Sequence, residues 1–454
     1  MAIATINPAT GELVRSFAAL TDAELEAKLA RAQEAFAAHR RTAFAWRAER
    51  MVAAAEILER DKERFARLMT LEMGKPLVQA RAEVQKCATG CRYYAAHAEK
   101  FLADEPLPEA SGRCHVRYKP LGPVLAIMPW NFPFWQVIRF AAPALMAGNV
   151  GLLKHAPSVP QCAMALEEVF LRAGFPEGCF QALLIENETV ARVIEDERVA
   201  AVTLTGSVGA GRAVAAVAGR AIKRTVLELG GSDPFVVLAS ADLDDAVRVA
   251  VTARVQNNGQ SCIAAKRFIV VDAVADEFET RFIESMDSLV VGDPFDPATN
   301  IGPIVSEAQR DELVGQVEEA LRQGATVHNG APIPEGDGWW FAPTVLSGVT
   351  TDMPIAQVEM FGPVAMVIRV PDVDAAIATA NDTTFGLGSS VWASDQVEIA
   401  RCIEGIEAGA VFVNAMVASL PELPFGGIKR SGYGRELSEL GLKEFTNAKT
   451  VYVA

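Results

Sequence analysis

The feature that most constrains the fold is an alternation of short apolar runs with helical segments, which begins near residue 124. The runs at 150–154 and 200–205 have the pattern of strands, and the segment at 161–173 has the pattern of a helix. Strands that alternate with helices in one chain form a parallel sheet with crossover helices. A second series of the same kind begins near Pro234. The sequence therefore predicts an α/β fold with two domains that meet near residues 228–234.

Turn signals and hydrophobic periodicity predict the individual elements. Thr21 and Glu24 have the spacing of a capping box, which predicts a helix to about Arg41. Further helices are expected from Asp242 and at about 46–73, 77–103, 135–146, 161–173, 276–289 and most of 303–327. Strands are expected at 124–128, 150–154, 180–185, 200–205, 225–228, 235–238, 266–271, 364–370, 390–392 and 410–413.

Composition limits the kinds of partner. The 454 residues carry a formal net charge of −15, and such a surface repels nucleic acid and anionic lipid. No apolar run reaches the ~20 residues of a membrane helix, and the first residues lack the basic and apolar regions of a secretion signal. The seven cysteines are scattered without a CxxC pair. We therefore expect a cytoplasmic protein that binds no nucleic acid, membrane or metal and has no disulfide framework.

Three separated residues could together act on a carbonyl group. Cys262 lies in a small polar segment, NNGQSC, that is typical of a tight loop. Glu228 ends an expected strand and precedes two glycines, and Asn131 follows another strand. Taken singly, they also fit a buried small residue, a turn carboxylate and a helix cap. Taken together, they provide the nucleophile, the base and the amide donor that carbonyl addition needs.

The motifs around these residues resemble those of the aldehyde dehydrogenase superfamily, in its order and spacing over essentially the whole chain. They are PWNFP at 129–133, LELGG at 227–231, GQSC at 259–262, EMFGP at 359–363 and PFGG at 424–427. Within the superfamily, KHAP at 154–157 and the run from Pro421 to Glu436 look most like bacterial succinate-semialdehyde dehydrogenases.

The resemblance implies the domain plan. A modified Rossmann cofactor domain is expected at 1–105 and 121–230, and an α/β catalytic domain at 231–430. A small β-extension for oligomerisation is expected at 106–120 and 431–454. The family forms dimers and tetramers, so a homodimer or homotetramer is expected.

The resemblance also implies a catalytic role for each of the three residues. Cys262 attacks the aldehyde carbon, and the Asn131 amide and the Cys262 backbone N–H hold the resulting oxyanion. Hydride transfer to a nicotinamide leaves a thioester on Cys262. Glu228 then activates the water that hydrolyses the thioester.

The dinucleotide site lacks the usual GxGxxG fingerprint, as the modified Rossmann domain of the family implies. Gly206 and Ser207 end a strand and, with Gly211, could present backbone amides to a pyrophosphate, although they also fit an ordinary strand-to-helix turn. By resemblance, Glu359 binds the nicotinamide ribose and Phe361 packs near the ring. The resemblance adds two further residues to this channel, which are Trp130 and Leu229.

The choice between NADP and NAD depends on the segment that follows the expected strand at 150–154. By resemblance, Lys154 binds the adenosine ribose or a 2′-phosphate. Strict NAD enzymes of the family often have a glutamate three residues later, where this chain has Pro157, followed by Ser158. The lack of that acid permits a 2′-phosphate. We therefore expect NADP, with NAD as the alternative.

Two residues are candidates for binding a carboxylate of the substrate. Arg139 occupies the position of a substrate-binding arginine in succinate-semialdehyde dehydrogenases, although a structural salt bridge also fits it. Ser419 matches a second carboxylate-binding position. The chain departs from some members at Gln256, where they have another arginine. Glutarate semialdehyde or a broader range of aldehydes therefore remains an alternative to succinate semialdehyde.

Two other classes of function are alternatives to hydrolytic oxidation. In a CoA-acylating enzyme, CoA would take the thioester, but such relatives commonly lack the base at Glu228. A non-catalytic binding or structural protein on the same fold would not need the nucleophile at Cys262. The sequence favours the hydrolytic enzyme over both.

Overall fold

The computed structural model describes residues 2–108 and 113–453. The helices of these residues are α1 Asp22–His39, α2 Phe44–Arg60, α3 Lys62–Met73, α4 Leu77–Phe101, α5 Trp135–Ala147, α6 Pro160–Arg172, α7 Asn187–Glu195, α8 Val208–Arg220, α9 Leu243–Val255, α10 Asp272–Asp287, α11 Glu307–Arg322, α12 Val373–Asn381, α13 Gln396–Gly405 and α14 Ser438–Glu444. The strands are β1 Ile3–Ile6, β2 Leu13–Phe17, β3 Glu105–Pro106, β4 Arg113–Pro120, β5 Pro123–Met128, β6 Val150–His155, β7 Phe180–Ala182, β8 Ala201–Thr205, β9 Arg224–Glu228, β10 Asp233–Val237, β11 Ala265–Val271, β12 Thr326–His328, β13 Thr344–Ser347, β14 Val364–Val370, β15 Ser389–Trp392, β16 Val411–Val413, β17 Gly432–Tyr433 and β18 Thr446–Val453.

Two large sheets organise the chain. The first has the order β17-β9-β8-β5-β6-β7 and is parallel except for β17. The second has the order β12-β13-β14-β11-β10-β15-β16 and is parallel except for β12. The predicted α/β fold with parallel sheets is therefore confirmed.

Alternate residues of the second sheet fill two separate cores. On β10, Phe235 and Val237 belong to one buried cluster, while Val236 and the following Leu238 belong to the cluster on the other face. A strand whose successive side chains point to opposite faces must be apolar throughout when helices cover both faces. This requirement explains why the strands appear in the sequence as short continuous apolar runs.

Most predicted elements are confirmed within a few residues, and two predictions are wrong in detail. The expected helix at 46–73 is two helices, α2 and α3, with a break at Asp61, whose carboxylate pairs with Arg60 and Arg172. The expected helix over most of 303–327 is limited to α11, and its end is the strand β12. The first break coincides with the tertiary ion pair between Asp61 and Arg172, whereas α11 is followed by Gly324, whose φ of 102° is typical of a residue just past a helix end.

A small three-stranded sheet, ordered β18-β4-β3, lies apart from the two large ones. β18 pairs with β4 of its own chain along its whole length, from Thr446 opposite Pro120 to Val453 opposite Arg113. Of the expected extension at 431–454, β17 instead joins the first large sheet and α14 packs against α4 and α5. Residues 109–112 and 454 of the expected extension lie outside the described residues.

No helix in the described part of the chain is long and apolar enough to cross a membrane.

Candidate active site

The three candidate catalytic residues come from both large sheets. Asn131 follows β5 and Glu228 ends β9, so both lie at the carboxyl edge of the first sheet, whereas Cys262 precedes β11 of the second. The side-chain amide of Asn131 donates to the carbonyl oxygen of Gln260 at 3.0 Å. In return, the Asn257 side chain donates to the carbonyl of Asn131 at 2.8 Å. These two bonds fix the turn that carries Asn131 against the loop that carries Cys262.

The loop before Cys262 has an uncommon backbone conformation. Asn257, Asn258 and Gly259 have φ values of 59°, 58° and 72°, and asparagine and glycine tolerate this left-handed region best. The Asn258 side chain donates to the carbonyls of Gly74 and Pro303, each at 2.9 Å. Buried hydrogen bonds from distant segments therefore hold the conformation, which explains the two adjacent asparagines.

Gly259 allows this loop to approach the EMFGP segment closely. A β-carbon at residue 259 would overlap the backbone of Gly362 and Pro363. The same segment carries Glu359 and Phe361, two of the expected cofactor residues. The close approach therefore places these two residues beside the loop that carries Cys262.

Lys266 is a buried residue of the site that the sequence reading missed. Its ammonium donates to the carbonyl oxygens of Ser261 at 2.9 Å and Cys262 at 2.7 Å, and it lies 3.6 Å from a carboxylate oxygen of Glu359. The side chain has no exposed surface. A lysine followed by an arginine near the start of an otherwise apolar strand was the available signal, because a buried cation needs several partners.

The environment of the Cys262 thiol opposes ionisation. Burial raises the pKa of Cys262 to about 11, while the cations of Arg139 and Lys266 oppose that rise. Only the thiolate is strongly nucleophilic, so the thiol must lose its proton during attack or after the environment changes.

Glu228 is a buried carboxyl group without a hydrogen-bond partner. Glu228 is 2% exposed, and neither of its carboxylate oxygens has a hydrogen-bond partner among the described residues. Burial raises the pKa of Glu228 well above its ordinary value, the Glu436 carboxylate raises it further, and Arg139 opposes both. A β-carbon at Gly426 of the PFGG motif would lie 2.7 Å from its Oε1. That glycine therefore leaves space beside the carboxyl group.

Arg139 is already engaged within the protein. It forms a buried ion pair with Glu436, donates to the hydroxyl of Thr205 at 3.0 Å, and lies 4.7 Å over the ring of Phe425. The residue is 3% exposed. Of the two interpretations that the sequence left open, this geometry favours the structural salt bridge over a binding site for the substrate.

Ser419, in contrast, lies at a cationic position. Its hydroxyl oxygen accepts hydrogen bonds from the indole N–H of Trp135 at 2.7 Å and from the ammonium of Lys86 at 3.0 Å. Sequence reasoning missed Lys86, which lies in the middle of α4 with no motif around it. Gln256, where some relatives have arginine, is the residue at which α9 ends and the Cys262 loop begins.

The residues expected at a pyrophosphate form the exposed start of a helix. Ser207 is the N-cap of α8 and accepts from the backbone N–H of Ala210 at 3.2 Å. Gly211 packs against Leu229, because a β-carbon there would come within 2.6 Å of the leucine side chain. Gly206 precedes the cap and is half-exposed. An exposed helix start of small residues fits an anionic pyrophosphate.

Three other cofactor candidates lie at the carboxyl end of β6, in the same sheet. Lys154, the penultimate residue of β6, has its ammonium 2.8 Å from the amide oxygen of Asn187, and burial lowers the pKa of this lysine. The Pro157 carbonyl accepts from the N–H of Ala4 at 3.0 Å, and Ser158 is half-exposed beside it. No carboxylate comes from these two residues, so the segment presents no acid to a 2′-phosphate.

Two contacts join the cofactor candidates of the two sheets. The rings of Trp130 and Phe361 meet edge to face with centroids 5.7 Å apart. The Glu359 carboxylate accepts from the backbone N–H of Gly231 at 3.1 Å. The structure therefore brings together residues that lie more than 100 positions apart in the sequence.

Comparisons with known proteins extend over essentially the whole chain. The model of the family described as "Aldehyde dehydrogenase family" matches residues 1–451. Over 457 aligned positions the chain is 58% identical to a succinate-semialdehyde dehydrogenase [NADP(+)] of Mycobacterium avium, covering 100% of this chain and 97% of the relative. It is 56% identical to succinate-semialdehyde dehydrogenase [NADP(+)] 1 of Mycobacterium tuberculosis, covering 100% of this chain and 100% of the relative. The structure of succinic semialdehyde dehydrogenase from Streptococcus pyogenes with NADP+ superposes with a TM-score of 0.97 at 39% identity, covering 99% of each chain.

Replacing Gly259 by alanine should inactivate the protein. The added β-carbon meets the backbone of Gly362 in a left-handed conformation that costs about 1–2 kcal/mol for an L-residue. We expect loss of at least about 90% of turnover and a lower melting temperature. Gly315→Ala is the matched control, because this glycine is exposed in α11 with no atom near its added β-carbon. Equal behaviour of the two variants would contradict the close approach.

Alkylation of Cys262 in the cofactor-free protein should accelerate steadily with pH. Because the pKa of the thiol is about 11, the thiolate stays a minority from pH 7 to 10 and its fraction rises about tenfold per pH unit. The measurement is the rate of iodoacetamide labelling by mass spectrometry. Cys262→Ser gives the background from the half-exposed Cys114. A rate that levels off below pH 9 would show that the thiol ionises more easily than its burial implies.

Proposed function

The chain belongs to the aldehyde dehydrogenase family, and on that premise we propose that it oxidises succinate semialdehyde to succinate with NADP+. The aldehyde hydrogen leaves as hydride to the nicotinamide, water supplies the second carboxylate oxygen, and two protons are released. The observation that carries the proposal is the bond from Asn131 to Gln260, which holds an amide donor beside the Cys262 loop. The names of the mycobacterial relatives support both the substrate and the cofactor.

The residues that would hold NADP+ fit its chemistry. The start of α8, with Gly206 and Ser207, would receive the pyrophosphate, and Lys154 the 2′-phosphate. Glu359 would bind the nicotinamide ribose, and Phe361 would pack on the ring. When bound, the cofactor supplies a hydride acceptor. The chain orients the aldehyde so that its hydrogen faces that acceptor.

The first step is addition of the Cys262 sulfur to the aldehyde carbon, with loss of the thiol proton. The negative oxygen that forms would accept hydrogen bonds from the Asn131 amide and the Cys262 backbone N–H. One N–H of the Asn131 amide is bonded to Gln260, which leaves the second for the oxyanion. Such a donor typically contributes about 3–4 kcal/mol to transition-state stabilisation.

Loss of the aldehyde hydrogen as hydride would convert this adduct into a thioester on Cys262, and hydrolysis of the thioester follows as the last step. Glu228 would remove a proton from the attacking water. Its buried position raises its pKa, which makes it a stronger base than an exposed carboxylate. The lack of any hydrogen-bond partner among the described residues leaves both oxygens available for that water.

The assembly and domain plan form part of the same proposal. Residues 1–105 and 121–230 would form the cofactor domain and 231–430 the catalytic domain. Among the described residues, no further strand pairs with either edge of the small sheet β18-β4-β3, so we propose a homodimer or homotetramer. The cytoplasmic location remains a prediction from the sequence.

A substrate panel tests the proposed reaction. We expect kcat/KM to be highest for succinate semialdehyde with NADP+, and lower for glutarate semialdehyde, for butanal and for NAD. Reduced-cofactor absorbance with and without CoA is the measurement. No reduced cofactor with any aldehyde would refute the enzyme, and a strict requirement for CoA would replace hydrolysis by acyl transfer.

Glu228→Gln should separate the two steps. Since the thioester can form without this carboxylate, we expect a burst of about one NADPH per active site followed by turnover slowed at least about 100-fold. Stopped-flow absorbance measures both phases. Cys262→Ala should give no burst. Unchanged steady-state turnover in Glu228→Gln would assign the base to another residue.

A further inference from the structure

Gln136 is a buried polar residue that no step of the proposed reaction uses. It lies in the first turn of α5, is 1% exposed, and donates from Nε2 to the side-chain oxygen of Asn131 at 3.0 Å. Its own Oε1 has no hydrogen-bond partner among the described residues. A buried oxygen without a partner is unfavourable for folding. Stability alone is therefore a weak reason for a glutamine here, whereas its one side-chain bond ends on the proposed oxyanion donor.

The backbone carbonyl of Gln260 sets the direction of the Asn131 amide. This carbonyl accepts from the Asn131 side chain at 3.0 Å and from the Asn257 side chain at 2.9 Å. A carbonyl oxygen accepts hydrogen bonds and cannot donate them. Asn131 must therefore turn its NH2 group toward Gln260, and its oxygen then faces Gln136. Only a donor is compatible with an oxygen at that point.

Gln136 is the next member of this chain of bonds, and it presents the NH2 group that the Asn131 oxygen requires. A reversed Asn131 amide would place its oxygen against the Gln260 carbonyl and its NH2 group against the NH2 group of Gln136. Reversal is therefore opposed at both ends of the amide. The direction matters for catalysis, because a reversed amide would present an oxygen, and not an N–H, to the negative oxygen of the aldehyde adduct.

The backbone that carries Gln136 is itself fixed by buried hydrogen bonds. One carboxylate oxygen of Glu83, from α4, accepts from the backbone N–H groups of Phe134 and Trp135, each at 2.9 Å. The backbone N–H of Gln136 donates to the carbonyl of Phe132 at 3.1 Å. Glu83 is 5% exposed, so water does not easily replace these bonds. The side chain of Gln136 thus starts from a defined point beside the turn that precedes α5.

We infer that Gln136 is a positioning residue, which orients the Asn131 amide so that its second N–H faces the oxyanion formed on Cys262. The inference rests on the proposed function, since it concerns how the same site stabilises its transition state. Gln136 acts through Asn131 and contacts neither the aldehyde nor the cofactor in this role. Its loss should therefore slow the steps that form an oxyanion, which are sulfur addition and thioester hydrolysis.

Gln136→Met tests this inference in the full-length enzyme with NADP+, because methionine keeps the length of the side chain and removes the donor. We expect kcat/KM for succinate semialdehyde to fall about tenfold or more, since complete removal of one oxyanion donor typically costs about 100- to 1000-fold. The rate of Cys262 alkylation by iodoacetamide should change less than about twofold. In that reaction the sulfur displaces iodide from a saturated carbon and no oxyanion forms, whereas a distorted Cys262 loop would alter both rates.

Gln181→Met is the matched control. Gln181 is 2% exposed, its Nε2 donates to the backbone carbonyl of Lys28 at 2.9 Å, and its Oε1 also has no partner among the described residues. The two glutamines thus have the same burial and the same bonding, but the bond of Gln181 ends on α1. We expect both variants to show similar changes in melting temperature, and only Gln136→Met to lower kcat/KM by more than about twofold.

A double-mutant cycle shows whether Gln136 acts through Asn131. In the Asn131→Ala background, Gln136→Met should lower kcat/KM by less than about twofold, because there is no amide left to orient. An undiminished loss in that background would overturn the inference. So would a loss of alkylation rate that parallels the loss of turnover, because both results would make Gln136 a structural residue.

Gln136→Leu, which also lacks the donor, keeps the test decisive if the melting temperature shows that Gln136→Met folds poorly. If Asn131→Ala lowers kcat/KM and the folded Gln136 variants do not, the inference fails while the proposed function stands. If the wild type reduces no cofactor with any aldehyde, the proposed function and the inference both fail.

Discussion

The active site depends on buried hydrogen bonds that hold the Cys262 loop in a left-handed turn. Arg254 and Lys266 donate to carbonyls of this loop, while Asn258 fastens it to two distant segments. These side chains are buried, so water cannot replace the bonds at low cost. The position of the sulfur relative to Asn131 follows from this network, as does the position of the EMFGP segment.

A second feature is the concentration of buried charge at one edge of the first sheet. Arg139 lies between two acids, paired with Glu436 and close enough to Glu228 to influence its ionisation. Burial raises the pKa of both carboxyl groups, and the Glu436 carboxylate raises that of Glu228 further. Pairing the cation with Glu436 therefore leaves Glu228 as the less acidic partner. The same arrangement that favours a general base thus removes Arg139 from substrate binding.

Chemistry and substrate recognition then come from different parts of the chain. The residues proposed for bond making lie on loops at strand ends, where the backbone of two sheets converges. Ser419, the second candidate for carboxylate binding, instead lies on a loop after the last strand of the second sheet, and its hydroxyl accepts from Lys86 in the middle of α4.

The sequence by itself determined the α/β fold, the family resemblance and the candidates Cys262, Glu228 and Asn131, because motifs at strand ends are local and apolar strands are readable one by one. Only the tertiary structure decided which partners the buried cations contact. Arg139 and Glu436 are 297 positions apart, and Lys86 and Ser419 are 333 apart. No local sequence pattern encodes which distant residue a buried cation contacts. Because burial makes an unpaired charge costly, that contact determines whether the cation has a structural role.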